Sequence, residues 1–415
     1  MTASTSNKKR ELYEHEYEAA LQRIKENAPP FGENDYFFRI VHDSFAVDKM
    51  LHSHPSVAVL GTSIPEEIIY AAGTAPHWIL GGSSGMAAWA DDMVPRDTDP
   101  VSRSMLGYLQ NDILTADDKT LIVVPLVNDS SRKIAYLLQS DGKKVHTVEF
   151  SPVKDRYSAA RWNRQMEKLA AAVSAHTKTK ITSRSLQRAS QAVLRCRLQM
   201  QRFIRLAESR SLLLSDLYRM FIINSYYCTE DPEEWSSHLE RLNSKLQRKS
   251  IGLIKSSKPG NVLLMGSPIY FPNYKIPFLS QDAGLHICAN LDYTTQKVYA
   301  AQERRSSMDF QKALRAFFKS DCSSAYSRND ALYHSASRLI AEGSIEGVVY
   351  HVLKGQIEYD FELERLEELF AHYDVPVCRL ETDYNYQDIE QLRIRVEAFA
   401  EVISQKRYSK EVFAV

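Results

Sequence analysis

Short apolar runs that alternate with helix-like segments occur in two separate stretches of the sequence, and this pattern most restricts the possible fold. The first stretch contains VAVLG, HWILGG, LIVVPL, IAYLLQ and VHTVEF, between positions 57 and 150. The second contains VLLMG, GLHICANLD, GVVYHVLKG and VPVCRLETD, between positions 262 and 383. Such alternation is typical of parallel strands joined by covering helices. The sequence therefore predicts an α/β protein with two mainly parallel sheets.

Helical spacing marks the segments outside these two stretches. Apolar residues recur every three or four positions between Lys8 and Lys25 and again between positions 183 and 249. A chain of 415 residues also exceeds the usual size of one hydrophobic core. We predict four regions: an N-terminal helical segment (1–50), a first α/β domain (51–180), a helical connector (181–258) and a second α/β domain (259–415).

Composition and charge exclude several classes of protein. Lys plus Arg (52) balances Asp plus Glu (52), so no overall charge attracts nucleic acid or an anionic membrane. No apolar run reaches the roughly 18 residues of a membrane span, and the polar opening lacks a secretory signal. Five scattered cysteines suit reduced thiols better than a disulfide framework. We expect a cytoplasmic protein with no nucleic-acid or membrane partner.

The stretch GTSIPEEIIYAAGTAPHWILGG, residues 61–82, predicts a strand followed by a helix. Ser63 and Glu66 fit a capping box, and Gly73 fits the helix end. Such a junction favours an anionic ligand, so Ser63 and Glu67 are candidates to orient a ligand or to move a proton. Alternatively, Ser63 only caps the helix and the glutamates only complement its positive end. The residues alone leave both interpretations open.

Other motifs indicate no metal or nucleotide site. His52 and His54 have no third ligand at metal-site spacing. The glycine-rich GGSSG, residues 81–85, lacks the lysine of a phosphate-binding loop. We therefore predict no metal ligands from these motifs.

Four sequence blocks together carry a family resemblance. They are PEEIIYAAG, GSPIYFPNYKIPFLSQDAG (266–284), GVVYHVLKGQIEYDFELERLEELF (347–370) and LETDYNYQDIEQLRIRVEAFAE (380–401). In this order they resemble the 2-hydroxyacyl-CoA dehydratase and benzoyl-CoA reductase family. The resemblance implies two flavodoxin-like domains and a helical region. Gly266, Ser267 and Pro268 follow the strand VLLMG and resemble a turn that faces the cleft, where they either contact the substrate or only form the turn. With Lys354, which matches a family position, they are the predicted substrate-binding residues.

The chemistry implied by the resemblance is radical chemistry on an acyl-CoA thioester. In that family an ATP-dependent activator protein supplies one electron to a [4Fe-4S] cluster, which passes it to the thioester carbonyl. The cluster is usually held by three cysteine thiolates of a subunit. The resemblance also places Ser63 and Glu67 at the acyl-CoA pocket.

The three cluster positions of the resemblance carry no sulfur in this sequence. Aligned with the family's pattern, they fall on Asp99, Asn128 and Gln356. Amides and a single carboxylate are poor replacements for soft thiolates. We therefore predict that this chain binds no cofactor and that a [4Fe-4S] cluster belongs only to a partner subunit.

Three functions are consistent with this sequence. The first is a cluster-less subunit that pairs with a homologous cluster-bearing subunit in dehydration or reduction of an acyl-CoA. The second is an acyl-CoA-binding enzyme with non-redox chemistry, such as hydration or isomerisation, in which Glu67 or Asp99 acts as base. The third is a non-enzymatic binding or assembly protein that keeps the two-domain cleft.

Overall fold

The computed structural model describes residues 3–51, 56–95, 97–110, 119–208, 214–248, 260–292, 295, 309–342 and 345–413. Within these ranges the strands form two four-stranded sheets in which all neighbouring strands are parallel. The strands are β1 (Val57–Leu60), β2 (Pro76–Ile79), β3 (Leu121–Leu126), β4 (Lys144–Glu149), β5 (Gly260–Gly266), β6 (Leu285–Asp292), β7 (Gly347–Leu353) and β8 (Val377–Thr382).

Helices surround both sheets. The N-terminal region and first sheet contain α1 (Ala3–Glu26), α2 (Asn34–Phe45), α3 (Val47–Leu51), α4 (Glu67–Ala71), α5 (Ser84–Ala87), α6 (Pro100–Gln110), α7 (Asp129–Ser140) and α8 (Arg156–Thr177). The rest of the chain contains α9 (Ser183–Glu208), α10 (Asp216–Asn224), α11 (Pro232–Arg248), α12 (Lys275–Asp282), α13 (Phe310–Ser320), α14 (Asp330–Glu342), α15 (Ile357–His372) and α16 (Ile389–Phe413). Short 3-10 helices also occur at Ala90–Asp92 and Ser225–Cys228.

The two sheets have the same strand order. The first runs β2-β1-β3-β4 and the second β6-β5-β7-β8. In the first sheet Val57 pairs with Pro76 on one side and with Leu121 on the other. Because the order reverses between the first and third strands, a crevice opens at their carboxyl ends. The predicted flavodoxin-like α/β fold, with its helical N-terminal segment and connector, is confirmed.

Two local expectations are wrong. IAYLLQ, read as a strand-like run, belongs to α7, where Ile134, Ala135 and Leu138 are the buried side chains. The capping box of Ser63 with Glu66 does not form, because α4 begins only at Glu67 and has no side-chain cap. A five-residue apolar run does not by itself distinguish a strand from the buried face of a helix.

The core is continuous between the two sheets. One cluster of buried side chains includes Leu60 and Ile122 from the first sheet and Leu264 and Val349 from the second. On the outer face of the first sheet, Trp162 of α8 stacks on Phe317 of α13, with ring centroids 5.5 Å apart. A helix that follows β6 in sequence therefore covers the first sheet.

The limits of the four predicted regions stay predictions. The strands fall within 51–180 and 259–415, but the boundary at 258 and 259 lies outside the described residues. None of the helices in the described ranges is both long and apolar enough to cross a membrane.

Candidate functional site

A small cavity lies where the carboxyl ends of strands from both sheets meet. Its volume is about 60 Å³, and its lining includes residues that follow β1, β3, β5 and β7. These lining residues include Gly61, Ser63, Asp99, Asn128, Pro268 and Gln356. The carboxyl ends of parallel strands are where ligands of α/β proteins bind. The fold therefore places several sequence-predicted residues in one crevice.

All three predicted cluster positions line this cavity. The side-chain amide of Gln356 donates to Oδ1 of Asp99 at 3.3 Å. Asp99 also accepts the backbone N–H of Ser102 at 3.0 Å, in the first turn of α6. Asn128 caps α7 by accepting the backbone N–H of Ser131 at 2.9 Å. The three positions thus share one site, and each directly precedes a helix.

The glycine between β7 and α15 allows the two halves of the site to meet. Gly355 has φ +83°, a conformation that favours glycine. A Cβ atom at this position would lie 2.9 Å from the carbonyl oxygen of Asp97 and 3.3 Å from the Cα of Asp99. The close backbone approach brings Gln356 to the segment that carries Asp99.

Glu358 is a cavity residue that the sequence analysis did not identify. The Asn128 side-chain amide donates to Oε1 of Glu358 at 3.2 Å. Burial raises the pKa of Glu358, the hydrogen bond from Asn128 opposes this rise, and the nearby carboxylates of Asp99 and Asp129 add to it. Its only sequence signal is its place two residues after Gln356, within the third family-like block.

The two predicted catalytic residues lie in different surroundings. Ser63 is buried and lines the cavity. Glu67 is also buried, but it faces the connector, where Arg197 of α9 lies 3.5 Å from its carboxylate and 2.8 Å from that of Glu66. Burial alone would lower the pKa of Arg197, but the two carboxylates outweigh it and raise that pKa. A catalytic role for either residue stays a prediction.

The predicted substrate-binding residues also lie in different surroundings. Pro268 lines the cavity, whereas Lys354 is exposed after β7. Ser267 joins β5 to β7: its N–H donates to the carbonyl of His351 at 2.7 Å, and its hydroxyl accepts the N–H of Leu353 at 2.9 Å. Gly266 has φ +105°, and a Cβ atom there would lie 2.0 Å from the His351 carbonyl oxygen. Gly266 and Ser267 therefore shape the strand ends.

The donor set of the cavity does not fit a [4Fe-4S] cluster. Iron–sulfur clusters are held by thiolates, whereas Asp99, Asn128 and Gln356 offer oxygen and amide groups. No cysteine occurs among the described residues that line the cavity. Burial also raises the pKa of four cysteine thiols elsewhere, to about 12 for Cys228 and for Cys322, which opposes thiolate formation. Three sulfur ligands are not available here.

A larger cavity of about 570 Å³ lies between the N-terminal helices α2 and α3, strand β2 and residues 224–231. Its walls combine aromatic side chains, among them Tyr36, Trp78 and Tyr270, with charged side chains from α2, α3 and residues 230–234. Tyr270 also lines the small cavity. Burial lowers the pKa of His77, on the same wall, to about 4. The cavity therefore has the volume of a small-molecule site, with both apolar and charged groups on its walls.

The glycine-rich stretch 81–85 is occupied by another part of the chain. The carboxylate of Glu16, on α1, accepts hydrogen bonds from the Ser83 hydroxyl at 2.6 Å and from the backbone N–H groups of Ser84 and Gly85 at 2.9 and 3.1 Å. These donors are therefore not free to cradle a phosphate. His52 and His54 lie outside the described residues.

Comparison with known proteins identifies the family. The profile of the family described as 2-hydroxyglutaryl-CoA dehydratase, D-component, matches residues 62–403. This match covers the second sheet, the connector and every strand of the first sheet except β1. None of the curated proteins compared with the chain matches it. The chain therefore belongs to the 2-hydroxyglutaryl-CoA dehydratase D-component family.

Proposed function

We propose that this protein is a cluster-free subunit of a 2-hydroxyacyl-CoA dehydratase-like enzyme, which pairs with a homologous cluster-bearing subunit. One observation carries the proposal. The three positions at which the resemblance expects cysteines line a single cavity at the strand ends, yet they carry a carboxylate and two amides. The crevice of the family is thus retained without its electron carrier.

The proposed substrate is an acyl-CoA thioester. The family description names a component of a dehydratase that acts on such a thioester, and a component requires a partner. The cavity of about 570 Å³ is within the usual range for small-ligand sites and shares Tyr270 with the small cavity. In this proposal the aromatic walls bind the acyl part and exclude water, while redox chemistry takes place in the partner.

Copurification tests this proposal. The tagged chain is coexpressed with a family member that has all three cysteines, and the complex is isolated without oxygen. We expect an equimolar complex that dehydrates a 2-hydroxyacyl-CoA when an ATP-dependent activator is added, and we expect no turnover by the chain alone. A chain that remains a stable monomer beside that subunit would contradict the proposal.

A second candidate function is the reversible, non-redox hydration and dehydration of an acyl-CoA thioester. The position of Glu358 favours it. Asp99 and Glu358 place two carboxyl groups in one cavity, and such a pair supplies an acid and a base. In dehydration of a 3-hydroxyacyl thioester, the base removes the C2 proton, the C3–O bond breaks, and the acid protonates the departing hydroxyl to give water. Each carboxyl group is then restored by one proton exchange with solvent.

The two candidates differ in what the isolated chain does. Under the second function, the chain alone forms the enoyl thioester from a 3-hydroxyacyl-CoA, and Glu358→Gln abolishes this activity while Asp129→Asn preserves it. Asp129 is a matched control because, like Glu358, it lies in the first turn of a helix that begins at the small cavity, but its side chain is fully exposed. Formation of the conjugated product is followed by ultraviolet absorbance.

A further inference from the structure

Two buried oxygen atoms at the small cavity have no hydrogen-bond donor among the described residues. They are Oδ2 of Asp99 and Oε1 of Gln356, whose residues are 2% and 4% exposed. Leaving a buried acceptor unpaired is unfavourable, and more so when the group is charged. Both residues line the cavity. A positively charged or proton-donating occupant is therefore expected there.

The groups around these atoms are oxygen donors. Glu358 adds a second carboxylate, Asn128 an amide, and Ser63 and Ser102 add hydroxyl groups. Lysine and arginine do not occur among the described residues of the lining. Carboxylate, amide and hydroxyl oxygens are the ligands of hard cations. We propose that this cavity binds a single hard, oxygen-preferring cation of the Ca²⁺ type, through Asp99, Gln356 and Glu358.

Size and charge limit this site to one weakly held ion. A volume of about 60 Å³ equals the space of roughly two water molecules in the liquid, which leaves room for one ion with a water ligand. The N-termini of α6, α7 and α15 point toward the site, and each carries about half a positive charge. They offset part of the carboxylate charge. The expected dissociation constant is therefore about 10⁻⁴ to 10⁻³ M, as in weak protein calcium sites.

The ligand set also indicates which metals are excluded. Within the described ranges, no three His, Cys, Asp or Glu side chains are grouped so that they could hold a metal ion. A site for zinc or another borderline-soft metal would need such a group. Only two of the donors proposed here are carboxylates, and amide and hydroxyl oxygens complete the set.

Terbium luminescence tests the proposal on the full-length chain after treatment with a chelator. Tb³⁺ replaces Ca²⁺ as the probe and is excited through tyrosine, and Tyr270 and Tyr359 both line the cavity. We expect one saturable Tb³⁺ site per chain, from which Ca²⁺ displaces the probe. Asp99→Asn removes a ligand charge and is expected to weaken binding at least about tenfold. Asparagine caps a helix as well as aspartate does, so α6 is expected to remain intact.

A matched control separates this site from general surface binding. Asp129→Asn removes a carboxylate that is fully exposed at the start of α7, and it should weaken Tb³⁺ binding far less than Asp99→Asn does. The absence of saturable binding, or equal affinity of Asp99→Asn and the unaltered chain, would overturn the inference. An equal loss in Asp129→Asn would overturn it as well. Pairing with a partner subunit does not depend on this ion, so the two proposals can fail separately.

Discussion

At the scale of single residues, two of the three predicted cluster positions have a structural task as helix caps. Each lies directly before a helix, and aspartate and asparagine are among the best N-cap residues. Asp99 and Asn128 accept backbone N–H groups of Ser102 and Ser131, whereas Gln356 makes no such bond. Asp99 and Asn128 therefore stabilise the starts of α6 and α7.

Glu358 gives a prediction about pH. Its pKa in the folded protein is raised above the ordinary value of 4.5, so the folded state holds its proton more tightly than the unfolded chain. The stability that protonation of Glu358 contributes is fully present below about pH 4.5, and it is lost as the pH rises through the raised pKa. Relative to Glu358→Gln, the unaltered protein should therefore lose stability between about pH 4.5 and neutral pH.

Urea unfolding midpoints of both proteins across this pH range measure the effect. Glu364→Gln is the control, because Glu364 is exposed on the same helix, α15. The unfolding midpoint of Glu364→Gln should change with pH in the same way as that of the unaltered protein. If the curve of Glu358→Gln stays parallel to that of the unaltered protein, the assigned surroundings of Glu358 are wrong.

Sequence reasoning identified Ser63, Asp99, Asn128, Pro268 and Gln356 as site residues, and the structure places all five at one cavity. It did not identify Glu358. The reason is physical: its role arises from a contact with Asn128, 230 positions earlier in the chain. Such long-range pairs leave no local pattern.

At the scale of elements, α4 and the connector helix α9 are joined by a buried ion pair. Arg197, on α9, contacts Glu66 and Glu67 at the start of α4, and all three residues are nearly inaccessible. Tyr226 adds a hydrogen bond to Glu66 at 3.2 Å. Removing one partner of a buried pair leaves an uncompensated charge in the interior. The connector therefore fixes the segment that carries Ser63.

Arg197→Met is expected to destabilise the protein by about 3–5 kcal/mol, because Glu66 and Glu67 would keep their burial and lose their counter-charge. Arg195→Met is the matched control. Arg195 lies two residues earlier on α9 and pairs with Glu233 at 2.5 Å, but both side chains are more than half exposed. An exposed pair contributes about 0–1 kcal/mol. Similar losses of unfolding free energy in the two variants would contradict the assignment.

Elements with strong periodicity could be predicted, and short ones could not. LIVVPL is β3 as expected, because a buried parallel strand reads as a continuous apolar run. The predicted helix cap at Ser63 lies three residues before the observed cap position, Glu66, because a capping pattern of residue types can occur where no helix begins. The burial of Arg197 could not be predicted either, because an arginine in a long amphipathic helix is usually exposed.

At the scale of the whole molecule, the two sheets repeat one strand order without an exact repeat in sequence. Their shared core and facing strand ends create a crevice whose position is fixed by topology rather than by the ligands at its centre. Such a crevice is therefore compatible with different side chains at its centre. The resemblance of four ordered blocks could reveal the family, but not which residues would meet.

The most direct test of this account is the iron and acid-labile sulfide content of the isolated chain, purified without oxygen and then incubated with iron and sulfide. Since oxygen and amide groups occupy the cluster positions, we predict that neither element is retained and that no reducible paramagnetic centre forms. A brown protein that retains about four iron atoms and a matching amount of sulfide per chain would contradict it.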